Sequence, residues 1–172
     1  EGAAKLKTRG KILKDVIDAT TFAVSRDELK PALTGVLMQI SEEKITAVST
    51  DGHRLVKYVR NDFKSEGFSG EIVVPKKFLL YLSGQLQNQD VVLYLGESHL
   101  MAKFDNDVVL TRVISEKFPD YKSVIPKDNN KKLLVEKEVL LGAIRRVSIF
   151  SNKATHQVAL SLENGSIKIK TE

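Results

Sequence analysis

A chain of 172 residues, 42% of them apolar, suits one or two domains of ordinary size with a real buried core. The absence of cysteine excludes disulfide scaffolds and thiolate metal sites, and the three histidines (His53, His99, His156) lie far apart with none at zinc-ligand spacing. A net charge of +5 is weak support for a polyanionic partner, and no apolar run reaches the roughly 18 residues of a membrane span.

The chain opens on Glu1-Gly2-Ala3-Ala4-Lys5, without the basic start and apolar block of a signal peptide and without an initiating Met, so a processed or cut piece of a longer protein is the expectation. Lys5–Lys7 reads as a short strand. A helix follows from about Gly10 to Ala23, with Ile12, Leu13, Val16, Ile17 and Thr20 at the three–four spacing of one buried face. Three strands are predicted next, at Leu33–Ile40, Lys44–Ser49 and Leu55–Arg60. The same order then returns. Glu71–Val74 is a strand, and Pro75 marks a helix start. Lys76–Leu86 carries a stripe of Phe78, Leu79, Leu82 and Leu86, and strands follow at Val91–Leu95, His99–Phe104 and Val108–Val113. A third copy begins with a strand at Lys131–Val135. Its helix runs from Lys137 to about Ile149, burying Val139, Leu140, Ala143, Ile144 and Val147, and strands at His156–Leu162 and Ser166–Lys170 flank an Asn164-Gly165 turn.

The repeating unit is a strand, a helix and three strands, about sixty residues long, present in about two and a half copies. Two copies make one α+β domain with both helices on one face of antiparallel sheets. The expected division is residues 1–127 for a complete domain and 128–172 for the first part of another, with the boundary in the polar stretch Lys127-Asp128-Asn129-Asn130-Lys131.

Chemistry concentrates at Thr50-Asp51-Gly52-His53-Arg54-Leu55. Asp-Gly between two strand-like runs is a hairpin signal, because Gly takes a positive φ without steric cost. The His and Arg that follow put polar heads at a strand start. An enzyme reading would make Asp51 and His53 a hydrolase or transferase pair. However, no Gly-x-Ser-x-Gly elbow, glycine-rich phosphate loop or His-Glu-x-x-His accompanies them. Basic residues recur on the helices (Lys11, Lys14, Lys76, Lys77, Arg145, Arg146), diluted by Asp15, Asp18, Glu136 and Glu138. Without an aromatic ladder, that pattern fits salt-sensitive phosphate contact with no sequence preference. Phe118-Pro119-Asp120-Tyr121 reads as a turn pinned by its two aromatics.

Leu33-Thr34-Gly35, Thr50–Leu55, Phe118–Tyr121 with Val124-Ile125-Pro126, and Ser151-Asn152 occur in an order that resembles the bacterial β sliding clamp family of DNA polymerase III. The resemblance implies the DNA-clamp fold: the middle of three similar domains plus the start of the third, in a protein that closes as a homodimeric ring around duplex DNA. It implies a processivity factor, a non-enzymatic accessory subunit that tethers replicative polymerase to DNA, in the cytoplasm at the nucleoid. No cofactor or metal is implied.

By position, the resemblance implies a peptide-binding groove of Leu33, Thr50, Gly52, His53, Arg54, Leu55, Pro119 and Val124, with Thr155 from the third domain. Its partners would be the polymerase III catalytic subunit, the clamp loader, repair polymerases and mismatch-repair proteins, each through a short linear motif. DNA-facing positions would be Arg26, Lys30, Lys76, Lys77, Lys14 and Arg145, and Ile149 and Phe150 would form the subunit interface. Four positions depart from the family pattern. Ser123 stands where some members carry Arg, Thr155 stands where a larger side chain occurs, and Pro31-Ala32 replaces an aromatic pair.

Overall fold

A computed structural model describes residues 4–65, 68–153, 155–163 and 165–171 of the chain. Strand β1 (Ala4–Arg9) leads directly into helix α1 (Gly10–Thr20), whose buried residues Leu13, Val16, Ile17 and Thr20 keep the spacing that the sequence dictates. The helix tightens into a 3₁₀ turn at Thr21–Ala23, where the Thr20 hydroxyl donates to the Val16 carbonyl at 2.8 Å. A second 3₁₀ turn, Pro31–Thr34, occupies the start of the predicted Leu33–Ile40 strand. Proline presets φ for such a turn and lacks the N–H a ladder needs. The turn is closed by the Leu33 N–H on the Lys30 carbonyl at 2.9 Å and the Thr34 hydroxyl on the Pro31 carbonyl at 2.8 Å.

Strands β2 (Gly35–Ser41), β3 (Lys44–Thr50) and β4 (Leu55–Arg60) follow as a meander, then β5 (Gly70–Pro75) and helix α2 (Lys76–Gln85). A second meander is formed by β6 (Asp90–Leu95), β7 (His99–Phe104) and β8 (Asp107–Arg112). The two repeats exchange their first strands. β1 pairs antiparallel with β6, giving the sheet β1-β6-β7-β8, and β5 pairs with β2, giving β4-β3-β2-β5. An antiparallel bridge between Val73 and Ile114 joins the two sheets, with the Ile114 N–H on the Val73 carbonyl at 2.9 Å.

One apolar core lies between the helices and the sheets. Leu6, Leu13, Val16 and Ile17 meet Phe78, Leu79, Leu82 and Leu86 there, and the inward residues of both meanders complete it. Each large side chain buried in this way contributes roughly 1.5–3 kcal/mol. The helices are also tied by polar groups. The Lys14 ammonium donates to the Ser83 carbonyl at 2.7 Å and to its hydroxyl at 2.9 Å, and it pairs with Asp18 at 3.4 Å. The Ser83 hydroxyl in turn donates to the Asp18 carboxylate.

The chain divides into two compact units, Glu1–Val124 and Ile125–Glu172. In the second, helix α3 (Lys137–Ser148) accompanies a two-stranded antiparallel sheet of β9 (Ala159–Glu163) and β10 (Ser166–Lys170). Three expectations are corrected here. Lys131–Val135 is not a strand: by the first unit's register it would pair with a strand from a fourth repeat, which these 172 residues do not contain. No residue of α3 is buried, because a two-stranded sheet is too small to cover its apolar face. The strand expected from His156 begins at Ala159, since His156 has φ 49° and its N–H is tied back to the Asn152 carbonyl at 2.8 Å, both incompatible with an extended ladder. In the Asn164-Gly165 turn, Gly165 has φ 79° and Asn164 lies outside the described residues. No described helix is long and apolar enough to cross a membrane.

Candidate peptide-binding site

The hairpin between β3 and β4 is built by short polar side chains that replace ladder hydrogen bonds. Thr50 and Leu55 are the last cross-strand pair, and Gly52 takes φ 92° at the tip, with open space where a Cβ would stand. The Thr50 hydroxyl accepts the Gly52 N–H at 3.0 Å and donates to the Arg54 carbonyl at 2.7 Å. One Asp51 oxygen accepts the backbone N–H groups of His53 at 3.0 Å and Arg54 at 3.1 Å, and the other meets Arg54 Nε at 3.0 Å. Such local bonds are the reason Asp and Thr favour turns.

Those amide bonds, foremost the one from Arg54, hold the Asp51 carboxyl below its ordinary value of 3.8. A carboxylate so committed is a poor proton acceptor. It bonds the backbone of His53, and no bond links it to the imidazole among the described residues. This geometry argues against an Asp51/His53 catalytic pair. Elsewhere His99 shares a 2.7 Å contact between Nδ1 and the Ser98 hydroxyl, and no cluster of His, Asp or Glu among the described residues could hold a metal.

Opposite the hairpin runs the segment that follows β8. Phe118 and Tyr121 are buried and pin it, while Pro119 and Val124 remain exposed. The Tyr121 hydroxyl donates to Gln39 Oε1 at 2.8 Å, and Gln39 Nε2 donates to Glu71 Oε2 at 2.9 Å. Glu71 can only accept, so it fixes the Gln39 amide with its oxygen toward Tyr121. Burial raises the Tyr121 pKa above 10.0, helped by the charges of Glu71 and Asp120, so the hydroxyl remains a donor. Past Tyr121, the Ser123 hydroxyl donates to the Asp120 carbonyl at 2.7 Å.

Between hairpin and segment lies a cleft of about 470 Å³. Leu33, Thr50, Gly52, His53, Arg54, Leu55, Pro119 and Val124 all line it, together with Asp120 and Tyr121. Leu33 reaches it from the 3₁₀ turn, which is anchored by the Ser25 N–H on the Leu33 carbonyl at 2.9 Å. The lining thus has apolar walls from Leu33, Leu55, Pro119 and Val124, with donors at the edges from His53 and Arg54. That is the composition expected of a site for an amphipathic ligand. Asp120 and Tyr121 were absent from the expected lining, although the Phe118–Tyr121 motif was the signal that contained them. Phe22, which lies beneath the Arg54 guanidinium, carried no signal at all.

The other expected positions are distributed as follows. Arg26 and Lys30 are exposed in the loop after the first 3₁₀ turn, with Lys30 within 3.9 Å of Asp27. Lys76 and Lys77 open α2; Lys77 is exposed and Lys76 half-buried. Lys14 is engaged between the helices. Thr155, Arg145, Ile149 and Phe150 are exposed residues of the second unit, and Thr155 donates its N–H to Asn152 Oδ1 at 3.4 Å.

Residues 7–120 match the family model for the central domain of the DNA polymerase III beta subunit, and residues 122–172 match the model for its C-terminal domain. The chain is 33% identical to the beta sliding clamp of Chlamydia muridarum over 159 residues, which cover 91% of this chain and 43% of that protein. It is 31% identical to the beta sliding clamp of Chlamydia pneumoniae over 170 residues, 98% of this chain and 46% of the relative. The chain therefore spans less than half the length of these relatives. Among solved structures, the DNA polymerase sliding clamp of Pseudomonas aeruginosa superposes with a TM-score of 0.90 at 28% identity, covering 99% of this chain and 48% of that one. The DnaN sliding clamp of the same organism bound to griselimycin superposes with a TM-score of 0.87 at 29% identity, with the same coverage.

Proposed function

Since the chain belongs to the DNA polymerase III beta subunit family, we propose that it forms part of a ring-shaped sliding clamp, a processivity factor without catalysis of its own. The cleft beside the Thr50–Leu55 hairpin docks short linear peptides from the replicative polymerase, the clamp loader and repair proteins. The observation that carries this reading is the convergence of Leu33, Leu55, Pro119 and Val124, from three separated stretches of chain, on one cleft edged by His53 and Arg54. Filling it with one or two large apolar side chains returns roughly 1.5–3 kcal/mol each. After the cost of association, that supports about micromolar binding, which suits a site that several partners must share in turn.

Duplex DNA is met through exposed cations. Lys76 and Lys77 stand at the N-terminus of α2, where their charge adds to the positive end of the helix dipole and opposes helix stability. An arrangement that costs stability yet favours a phosphate supports a DNA-facing role. Arg26 and Lys30 in their loop and Arg145 in the last turn of α3 are further exposed cations. Lys14 contributes by holding α1 against α2. Ile149 and Phe150, 77% and 82% exposed, form an apolar contact with another subunit of the homodimeric ring.

The test is an anisotropy titration of the 172-residue chain with a labelled Gln-Leu-Ser-Leu-Phe peptide and with griselimycin as competitor. Saturable binding that griselimycin displaces and Leu55→Asp abolishes is the expected result. Unchanged binding by Leu55→Asp would remove the groove from the proposal.

A further inference from the structure

We infer that Phe22 and Asp51 are positioning residues for the peptide site: together they clamp the Arg54 guanidinium so that its free donors stand ready at the edge of the cleft. The inference rests on the groove reading above and concerns residues that line no part of the cleft.

Three observations meet at Arg54. Its Cζ lies 5.6 Å from the centroid of the Phe22 ring, within cation–π distance. Its Nε is paired with Asp51 at 3.0 Å. The Asp51 carboxylate is itself held by the backbone N–H groups of His53 and Arg54, at 3.0 and 3.1 Å, so the ion-pair partner is fixed in place. A ring beneath the plane and a carboxylate at one edge constrain both the tilt and the rotation of a planar guanidinium. Asp51 meets it at Nε, which leaves Nη1 and Nη2 without a hydrogen-bond partner among the described residues. These donors sit on a residue that lines the cleft.

The position of Phe22 supports a role beyond packing. It belongs to the 3₁₀ turn after α1, and it is 55% exposed while its neighbours Thr21 and Ala23 are buried. A large aromatic half in water contributes little to the core, and its described partner is the Arg54 cation. The turn that carries it is itself rigid, because the Ser49 hydroxyl of β3 donates to the Thr20 carbonyl at 2.6 Å. The platform and the hairpin therefore belong to one fixed frame. Arginine loses much rotamer freedom when a ligand immobilises it, and a side chain ordered in advance avoids that loss at binding. The peptide group it serves is an oxygen acceptor, main-chain or amide.

The test uses the whole chain and the labelled Gln-Leu-Ser-Leu-Phe peptide, with Phe22→Leu, Phe22→Trp and Asp51→Asn measured in both the Arg54 and the Arg54→Ala backgrounds. Leucine keeps apolar bulk and removes the ring; tryptophan restores a cation–π face; asparagine still accepts the two amides and gives up the ionic partner. The expected result is binding roughly two- to fivefold weaker for Phe22→Leu and for Asp51→Asn, affinity restored by Phe22→Trp, and no further loss from any of the three once Arg54 is Ala. Wild-type affinity for both Phe22→Leu and Asp51→Asn, with Leu55→Asp still abolishing binding, would overturn the clamp and leave the groove standing. Losses of equal size in the Arg54→Ala background would also overturn it, since Phe22 and Asp51 would then act through something else. A wild-type chain that does not bind the peptide would remove both readings together.

Discussion

Replacing Tyr121 with Phe deletes one oxygen atom and isolates the contribution of the Tyr121–Gln39–Glu71 chain to the wall of the cleft. The ring is 5% exposed and its packing is unchanged by the substitution. What disappears is the 2.8 Å bond to Gln39 Oε1, and Gln39 stays committed to Glu71 through its amide nitrogen. The half-buried Gln39 oxygen then has only water to turn to, so the loss is about 1 kcal/mol, near the middle of the range for one such bond. For a unit of this size that lowers the Tm by roughly 3–4 °C. The chain has no Trp, and the substitution removes a Tyr, so far-UV circular dichroism is the suitable readout of melting. A Gln39→Leu partner variant completes the cycle, with an expected coupling of about 1 kcal/mol. If the whole loss slackens the Pro119–Val124 wall, the peptide Kd rises no more than about fivefold. Additive effects of Tyr121→Phe and Gln39→Leu would refute the reasoning, because they would show that the two groups do not depend on each other.

Gly35→Ala is expected to destabilise by about 1–3 kcal/mol through overpacking in a denaturant melt, since the new Cβ would sit 2.7 Å from both the Val74 carbonyl oxygen and Ile114 Cδ1, where the two sheets join. Asp51 has a folded pKa below 3.8, so its support of the hairpin is complete above the ordinary carboxylate value and is lost only as pH falls through the lower one. A carboxyl ¹³C titration of Asp51 is therefore expected to inflect below 3.8, and an inflection at or above it would contradict the bonding described. Lys14→Met is expected to cost about 1 kcal/mol of stability by untying α1 from α2, in a partly exposed setting that weakens the ion pair. Lys77→Met is expected to leave stability within about 0.5 kcal/mol and to lower the salt slope of duplex binding by about one.

Local patterns were the legible part of this chain. The stripes on α1 and α2, the Asp51-Gly52 turn and the Ser166–Lys170 strand follow from the side chains of neighbouring residues, and the structure has them. The exchange of β1 and β5 between repeats was not legible, because nothing in Lys5–Lys7 says which of several apolar strands it will pair with. The same limit applies to the cations. Lys14 and Lys77 look alike in sequence, and only the packing of Ser83 opposite Lys14 separates an interhelical tie from an exposed charge. Nothing in the sequence singles out Phe22, since its partner Arg54 is thirty-two positions away. The cleft itself was expected only through family resemblance. Composition alone made Phe118–Tyr121 a pinned turn, and the burial of Phe118 and Tyr121 agrees with that reading.

Backbone amide mapping of an isotope-labelled 172-residue chain under peptide titration tests the central claim most directly. The predicted result is saturable shifts confined to the amides of Thr50–Leu55, Leu33 and residues 120–124, which surround the 470 Å³ cleft. Shifts centred elsewhere, such as on the seam between β5 and the end of β8, with the Thr50–Leu55 amides unmoved, would contradict it.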